Sequence, residues 1–262
     1  MKLMDSVLIV GYGEVGKPMY EISRGIYSKV EWLDIEEKQV TIKPNVMHIC
    51  FPYKDNEIFI RTAVKYVEQF RPEVVLIEST VSPGTTSSIY QKLAEKPLLC
   101  HSPVRGNMTE GMKKGLFQYT KYIGPTTEEA GIRAKEYYET LGFKTKICKS
   151  PMDTELSKIF ETTYRGLMMS WFQEMNRICE HFSASLEDVT NFLSSTEKEG
   201  KQARPIFHPG FIGGHCIIPN AEILERLYPS KFVEALLESN ERRAEELSPN
   251  KQVSQKLTSR RN

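Results

Sequence analysis

A glycine-rich turn near the start of the chain, VLIVGYGEVGKPMYEI, restricts the possible folds more than any other stretch. Gly11, Gly13 and Gly16 follow an apolar run and open a segment with helical patterning. In a strand–turn–helix unit the first glycine permits the tight turn, the second lets a pyrophosphate approach the backbone, and the third lets helix and strand pack closely. The spacing predicts a dinucleotide-binding unit, and a glycine turn without a ligand is the alternative.

A single carboxylate indicates which dinucleotide is bound. Asp34 closes the second predicted strand, VEWLD, at the distance from the glycines expected of a ribose-binding acid. A carboxylate there accepts hydrogen bonds from both ribose hydroxyls and repels a 2′-phosphate, so we predict NAD rather than NADP as the cofactor. The residues expected to bind NAD are Gly11, Tyr12, Gly13, Glu14, Val15, Gly16, Asp34, Pro52 and Thr80.

The first 150 residues alternate short apolar runs with amphipathic segments, which predicts an α/β fold with a Rossmann-type doubly wound sheet. The predicted strands are SVLIVG, VEWLD, VMHICFP, VVLIEST, PLLCHSP, TKYIGP and TKICK. The helical segments between them include NEIFIRTAVKYVEQF and EEAGIRAKEYYETLGF. We assign residues 1–150 to a NAD-binding domain with a mostly parallel sheet.

After Pro151 the pattern becomes helical, which predicts an all-helical domain over residues 151–247, for dimerisation and catalysis. Residues 152–182 contain no proline and predict one helix of about 45 Å. A helix of that length outruns a small domain, so we expect part of its apolar face to form a homodimer. SLEDVTNFL and SKFVEALLESNERRAEEL predict further helices, and the basic residues 248–262 predict a disordered tail.

Composition argues against several kinds of partner. The formal net charge of +1 gives no bulk field that would attract nucleic acid or a membrane surface. No apolar run approaches the length needed to span a bilayer. The five cysteines are scattered without CxxC or metal-ligand spacing, which predicts reduced thiols in the cytoplasm and no metal site. No recognisable constellation is formed by His48, His101, His181 and His208.

The stretch FHPGFIGGHCIIPN, residues 207–220, carries the strongest signal for chemistry. Its glycines and prolines predict neither helix nor regular strand. Gly213 and Gly214 would let backbone amides approach a ligand, and an exposed thiol near cationic groups has a lowered pKa, so Cys216 is a candidate nucleophile. His215 is more simply a packing or hydrogen-bonding residue than a base, and the other four cysteines are more simply core residues.

Two further candidates carry a weaker signal in isolation. Lys158 shares a face of the long predicted helix with Thr162 and Arg165, which suits an anionic substrate but is also typical of a solvated helix face. Thr80 follows the fourth predicted strand at the edge where open α/β sheets bind ligands, although a helix cap or turn residue would have the same position.

Together these stretches resemble the nucleotide-sugar 6-dehydrogenases, the UDP-glucose/GDP-mannose dehydrogenase family. GYGEVG, STVSPGTT, ELSKIFETTYRG and PGFIGGHCIIPN occur in the family's order. ALLESNERRAEEL resembles the family's helix before its domain linker, so the resemblance covers residues 5 to about 247.

The resemblance implies roles for individual residues. Cys216 matches the cysteine that attacks the aldehyde formed by a first hydride transfer to NAD, after which a second hydride transfer and hydrolysis of the thioester give a carboxylate. Lys158 matches the lysine that stabilises oxyanions and positions water, and Thr80 matches the threonine of the water and cofactor site. The implied substrate is a small molecule, a nucleotide-sugar or related polyol that is anionic or sugar-like.

The sequence also departs from the family's pattern. Asn220 replaces the usual aspartate four residues after the cysteine, Thr162 replaces the usual asparagine four residues after the lysine, and Val104 replaces a glutamate. Glu110 lies nearby with shifted spacing. An amide cannot accept a proton as a carboxylate does, so Asn220 would not activate the hydrolytic water as an aspartate would. We still count Asn220 and Thr162 among the catalytic candidates.

Family members usually continue into a second α/β domain that holds the nucleotide of the substrate, whereas this sequence ends near the linker. We expect either a separate polypeptide to supply that domain or a substrate other than a conventional nucleotide-sugar. Three functions stay open: oxidation of a primary alcohol through Cys216, a two-electron oxidation of the 6-phosphogluconate or β-hydroxyacid dehydrogenase type, and NAD binding without catalysis.

Overall fold

The computed structural model describes residues 5–34, 40–105, 112–200 and 205–248, and their elements follow the predicted alternation. Glu110 and residues 249–262 lie outside the described residues. The strands are β1 (Ser6–Val10), β2 (Lys29–Leu33), β3 (Val46–Ile49), β4 (Val74–Ile77), β5 (Leu98–His101), β6 (Lys121–Pro125) and β7 (Thr145–Ile147). The helices are α1 (Gly16–Arg24), α2 (Asn56–Phe70), α3 (Thr85–Lys92), α4 (Met112–Gln118), α5 (Glu128–Thr140), α6 (Pro151–His181), α7 (Leu186–Gly200), α8 (Ile217–Leu227) and α9 (Lys231–Glu246).

The strands form one sheet in the order β2-β1-β3-β4-β5-β6-β7, so the α/β prediction is confirmed. All neighbours pair in parallel except β5 and β6, which pair antiparallel. The strand order reverses beside β1, which lies between β2 and β3. Open α/β sheets bind ligands at such a switch point, beyond the carboxyl ends of the strands. The glycine turn follows β1 at that point.

Both faces of the sheet are covered, as a parallel sheet requires. Along β1, Val7 and Ile9 enter one apolar cluster, whose other members include residues of α1 and α5. Leu8 and Val10 enter a second cluster on the opposite face, with residues of α2 and α3. Every residue of β1 is buried, which explains why residues 7–10 form an unbroken apolar run rather than an alternating pattern.

Helix α6 confirms the single long helix predicted over residues 152–182 to within one residue at each end. Pro151 begins it, where the missing N–H has no helical acceptor in any case. Asp153 Oδ2 accepts hydrogen bonds from both the backbone N–H and the hydroxyl of Ser150, at 2.8 and 3.0 Å, which stabilises this start.

The chain divides into two compact units, one through Lys158 and one from Ile159, so α6 contributes its first residues to the N-terminal unit. The C-terminal unit is helical in its described residues and holds the rest of α6 with α7, α8 and α9. A small apolar cluster of Ala221, Val233 and Leu236 joins α8 to α9.

One prediction about local structure was wrong. Residues 217–220, read as neither helix nor strand, form the first turn of α8. Pro219 is compatible with a helix there because N–H groups in a first turn have no acceptor within the helix. Cys216 is the residue immediately before this helix and stays exposed.

Candidate functional site

The glycine turn has the geometry that its sequence predicts. Gly11 adopts φ +95°, and a Cβ there would lie 2.5 Å from the backbone nitrogen of Phe51. A Cβ on Gly16 would lie 1.8 Å from the carbonyl oxygen of Gly11, so α1 can approach β1 this closely only with glycine at 16. No atom lies within 4 Å of a Cβ built on Gly13. That open backbone fits a phosphate group.

Asp34 lies beside the same turn. Its Oδ2 accepts a hydrogen bond from the backbone N–H of Tyr12 at 3.1 Å, and the ring of Tyr12 stacks on Trp32 with centroids 4.2 Å apart. The carboxylate is thereby fixed at the end of β2, half-buried, next to the glycines. Glu14 is exposed in the turn and Val15 is half-buried. These residues fit the two parts of a dinucleotide that the sequence predicted, a diphosphate and a ribose.

The segments that carry Pro52 and Thr80 are joined to each other. The hydroxyl of Ser79 donates to the carbonyl oxygen of Phe51 at 2.7 Å, so the end of β3 and the end of β4 are held together. Pro52 is exposed and Thr80 is half-buried at this edge of the sheet. The predicted cofactor-binding residues of the N-terminal unit therefore lie along neighbouring strand ends.

His101 fixes the backbone next to Thr80. Its Nε2 lies 3.1 Å from the carbonyl oxygen of Ser79, and its Nδ1 lies 2.8 Å from the hydroxyl of Thr154 at the start of α6. Burial lowers the pKa of His101 to about 3, so the ring is neutral. A carbonyl oxygen can only accept, so Nε2 carries the hydrogen and Nδ1 accepts from Thr154.

Glu155 joins the same helix to the segment after Thr80. Its carboxylate accepts hydrogen bonds from the backbone N–H groups of Gly84 and Thr86, at 2.7 and 2.9 Å, where α3 begins. Burial raises the pKa of Glu155, against the effect of these hydrogen bonds. Lys158, half-buried, follows one helical turn later on α6. The N-terminal unit therefore anchors the start of the lysine's helix to the threonine's loop.

A buried polar network in the sheet was missed by the sequence analysis. Glu78 accepts hydrogen bonds from Tyr138 at 2.6 Å and from His48 Nδ1 at 2.9 Å, and it forms an ion pair with Lys121. The other ring nitrogen of His48 lies 2.8 Å from the hydroxyl of Tyr137. His48, which the sequence placed in no constellation, therefore belongs to a buried polar network. A signal existed, because single polar residues interrupt or flank apolar strands at these positions.

In the C-terminal unit two of the catalytic candidates contact each other. Asn220 Nδ2 donates to Thr162 Oγ1 at 2.9 Å, and the Thr162 hydroxyl donates to the carbonyl oxygen of Ile159 at the same distance. Both side chains are buried. Arg165 is exposed, and so is Cys216. This unit thus presents an exposed thiol one turn before a buried amide–hydroxyl pair.

Val104 occupies a buried apolar position in the core of the N-terminal unit, so this residue supplies no acid.

Among the residues that the structure describes, no group of three or more His, Cys, Asp or Glu side chains could hold a metal ion. Within the same residues, no helix has both the length and the apolar character needed to cross a membrane.

The fold and the glycine turn define an α/β protein with a glycine-rich turn at a sheet switch point. The sequence pattern of the central domain of the UDP-glucose/GDP-mannose dehydrogenase family matches residues 152–242. A UDP-N-acetyl-D-mannosamine dehydrogenase of Methanocaldococcus jannaschii is 30% identical over 187 residues, which are 68% of this chain and 42% of that protein. These matches confirm the resemblance to the UDP-glucose/GDP-mannose dehydrogenase family. The chain spans about two fifths of the length of the curated relatives that it matches here.

Solved structures with this fold include proteins of two lengths. A UDP-glucose dehydrogenase of Pyrobaculum islandicum aligns with a TM-score of 0.74 at 16% identity, over 91% of this chain and 68% of that one. A 3-hydroxyisobutyrate dehydrogenase of Mycobacterium tuberculosis aligns with a TM-score of 0.70 at 14% identity, over 93% of this chain and 94% of that one. At these identities the likeness establishes the fold alone.

Proposed function

We propose that this protein is an NAD-dependent dehydrogenase that oxidises a primary alcohol of a sugar-like, anionic substrate, with Cys216 as the nucleophile. The observation that carries the proposal is the exposed thiol of Cys216 immediately before α8, within the stretch that matches the family's central domain. An exposed thiol has the access to a carbonyl carbon that nucleophilic catalysis requires. The names of the relatives point to a nucleotide-activated sugar as the substrate.

The glycine turn and Asp34 would hold the NAD. Backbone N–H groups at the start of α1 would face the diphosphate, the open side of Gly13 would admit it, and Asp34 would accept from the ribose hydroxyls. NAD bound there would supply the oxidant for both two-electron steps, one at the alcohol carbon and one at the carbon bonded to Cys216. Pro52 and Thr80, at neighbouring strand ends, would border the site.

The remaining steps belong to side chains of this chain. The ammonium of Lys158 stabilises negative charge on the substrate oxygen, first on the alkoxide and then on the tetrahedral adducts. The sulfur of Cys216 adds to the aldehyde carbon to give a thiohemiacetal, and the second oxidation turns this into a thioester. Water then attacks the thioester carbon, the C–S bond breaks, and a carboxylate and the free thiol result. The Thr162–Asn220 pair would orient that water.

The test is a Cys216→Ser variant assayed with UDP-N-acetyl-D-mannosamine and UDP-glucose. Binding of NAD should stay at the wild-type level, while acid formation should disappear. Two NADH formed for each substrate consumed by the wild type supports the full oxidation. Unchanged acid formation in Cys216→Ser would contradict the covalent role.

A second candidate is a two-electron oxidation of a hydroxy acid. Asn220 is neutral and already hydrogen-bonded to Thr162, so it offers no base for hydrolysis of a thioester. In this case Lys158 would assist removal of the alcohol proton, and Cys216 would have no covalent part. One NADH for each substrate consumed, with full activity in Cys216→Ser, supports this candidate. Binding of NAD without turnover of either substrate class would instead favour a catalytically degenerate protein.

We further propose a cytoplasmic homodimer formed through α6. An apolar stripe runs along the exposed face of this helix, with side chains exposed by 43% to 73%. Its members are Phe160, Tyr164, Trp171 and Ile178 on α6 and Phe182, the residue immediately after the helix. Their spacing of four and seven residues places them on one side of the helix, and aromatic residues dominate the buried centres of protein interfaces. A second copy of α6 would cover the stripe in a symmetric dimer.

A further inference from the structure

The segment that leads to Cys216 has little packing of its own. Between Pro205 and Cys216 the one fully buried side chain is that of Ile212, at 2% exposed. Gly213 and Gly214 follow, and Gly214 has φ +86° with open space where a Cβ would be. Two glycines without side-chain contacts cannot hold a neighbouring residue in place. The position of the thiol therefore depends on what holds the backbone at either end of this segment.

The downstream end is held by packing. Ile217, the first residue of α8, is buried, and its side chain lies close to Gly166 of α6 and Leu236 of α9. A Cβ on Gly166 would lie 2.7 Å from the side chain of Ile217 and 2.7 Å from that of Leu236. The start of α8 is thus fixed against two other helices.

The upstream end is held by one amide side chain. Asn240 Oδ1 accepts from the backbone N–H of Ile212 at 2.8 Å, and Asn240 Nδ2 donates to the carbonyl oxygen of Ile212 at 3.1 Å. The side chain therefore satisfies both polar backbone groups of one residue, as a paired strand would. Asn240 is 5% exposed, so neither bond competes with bulk water.

A second amide supports the first. Gln173 Nε2 donates to the carbonyl oxygen of Gly210 at 2.7 Å, and Gln173 Oε1 accepts from the hydroxyl of Ser239 at 2.8 Å. Gln173 is fully buried on α6. The partners on both sides of each amide fix which atom is oxygen and which is nitrogen. Gly210 and Ile212 are consequently attached to α6 and α9 by three oriented hydrogen bonds.

We infer that Asn240, supported by Gln173, is a positioning residue for Cys216: it clamps the backbone at Ile212, so that the thiol is presented from a segment fixed at both ends. This inference rests on the proposed function, because a fixed thiol matters for a nucleophile. A nucleophile displaced by about 1 Å loses rate while the cofactor still binds normally.

The test uses isosteric variants of the full chain. Asn240→Asp keeps the acceptor for the N–H of Ile212 but places an oxygen against the carbonyl oxygen of Ile212. Gln173→Glu keeps the acceptor for the hydroxyl of Ser239 but places an oxygen against the carbonyl oxygen of Gly210. Amide hydrogen exchange in the peptide 210–216 should become about tenfold faster in each variant. The kcat for acid formation should fall by a similar factor, about tenfold, while KM for NAD stays unchanged.

Val233→Ala is the matched control, because it removes packing from the same helix α9 without touching Gly210 or Ile212. It should lower Tm without a selective change in exchange at 210–216. Wild-type exchange in Asn240→Asp overturns the clamp, and faster exchange with unchanged kcat overturns the positioning role. Failure of the proposed function would give a different result, because the wild type itself would then form no acid. The hydrogen-exchange rates of residues 210–216 would still show whether Asn240 holds the backbone at Ile212.

Discussion

Asn220 and Thr162, the two candidates that depart most from the family's pattern, are hydrogen-bonded to each other at 2.9 Å. Each lies four residues after a residue with a proposed chemical role, Asn220 after Cys216 and Thr162 after Lys158. The two departures thus form one interaction between α8 and α6 within the C-terminal unit.

This pairing predicts an energetic coupling between the two positions. Thr162→Val keeps the side-chain shape and removes the acceptor, and Asn220→Ala removes the donor. Each variant leaves a buried polar group or a small cavity, whereas the double variant leaves no unpaired partner, so we expect a coupling free energy of about 1 kcal/mol. Urea unfolding of the wild type, both single variants and the double variant measures it. Strict additivity would show that the bond contributes nothing to stability.

The glycine turn predicts opposite phenotypes for two glycines that are three residues apart. At Gly13 the space for a Cβ is open, so Gly13→Ala should fold with wild-type stability but bind NAD poorly, because the methyl group occupies the path of the diphosphate. At Gly16 a Cβ would clash with the carbonyl oxygen of Gly11, so Gly16→Ala should cost about 3 kcal/mol of folding stability. Thermal unfolding and titration with NAD separate the two effects. A destabilised Gly13→Ala that still binds NAD would contradict this assignment.

Asp34 should control both affinity for NAD and discrimination against NADP. Asp34→Ala removes the acceptor for the ribose hydroxyls, so the affinity for NAD should fall about thirtyfold. It also removes the charge that repels a 2′-phosphate, so the ratio of the affinities for NAD and NADP should become smaller. Trp32 stacks on Tyr12 in the same site, so quenching of its fluorescence reports binding. The titrations are done in proteins that also carry Trp171→Phe, because this substitution removes the fluorescence of the other tryptophan. An unchanged NAD affinity in Asp34→Ala would place the ribose elsewhere.

The Glu78 network should make folding stability depend on pH in the acid range. Burial by itself would raise the pKa of Glu78, but the ammonium of Lys121 and the hydrogen bond from His48 outweigh it and lower the pKa to about 2. Because the pKa is depressed in the folded state, the ionised carboxylate stabilises the protein above the unfolded pKa of about 4.3. That contribution, about 3 kcal/mol, is lost as pH falls from about 5 towards 2.

The measurement compares urea unfolding of the wild type and Glu78→Gln at pH 7, 5, 4 and 3. The difference in free energy of unfolding should be largest at pH 7 and shrink as pH falls. Glu73→Gln is the control, because Glu73 pairs with Arg133 near the surface and should show little change with pH. A difference between wild type and Glu78→Gln that stays constant with pH would contradict the lowered pKa.

The sequence was sufficient where a local rule decides the structure. The helix predicted over NEIFIRTAVKYVEQF is α2, Asn56–Phe70, because Asp55 caps it by accepting from the N–H of Ile58 and apolar residues recur at helical spacing. The glycine turn was predicted for a similar reason, since its steric demands involve neighbours within the same strand–turn–helix unit. The start of α8 was missed because the glycines and prolines of residues 207–220 argue against a helix, although a first turn accepts a proline such as Pro219.

The sequence was insufficient where distant residues meet. Asn240 and Ile212 are 28 residues apart, and no pattern in either segment indicates that an amide will pair with that backbone. Glu78 lies 43 residues from Lys121 and 60 from Tyr138, so the network depends on the order of the strands in the sheet. Such contacts require the tertiary fold, which local propensity does not specify.

The apolar stripe of α6 predicts that a single charge will dissociate the proposed homodimer. Trp171 lies near the middle of the stripe and is 54% exposed, so Trp171→Glu would place a carboxylate at the centre of the interface without disturbing the core. Light scattering after size-exclusion chromatography should give twice the chain mass for the wild type and one chain mass for the variant. Phe232→Glu is the control, since Phe232 is also an exposed aromatic residue but lies on α9 outside the stripe, and this variant should stay dimeric. A monomeric wild type would contradict the proposed homodimer. A dimer that is dissociated by Phe232→Glu but not by Trp171→Glu would show that the stripe is not its interface.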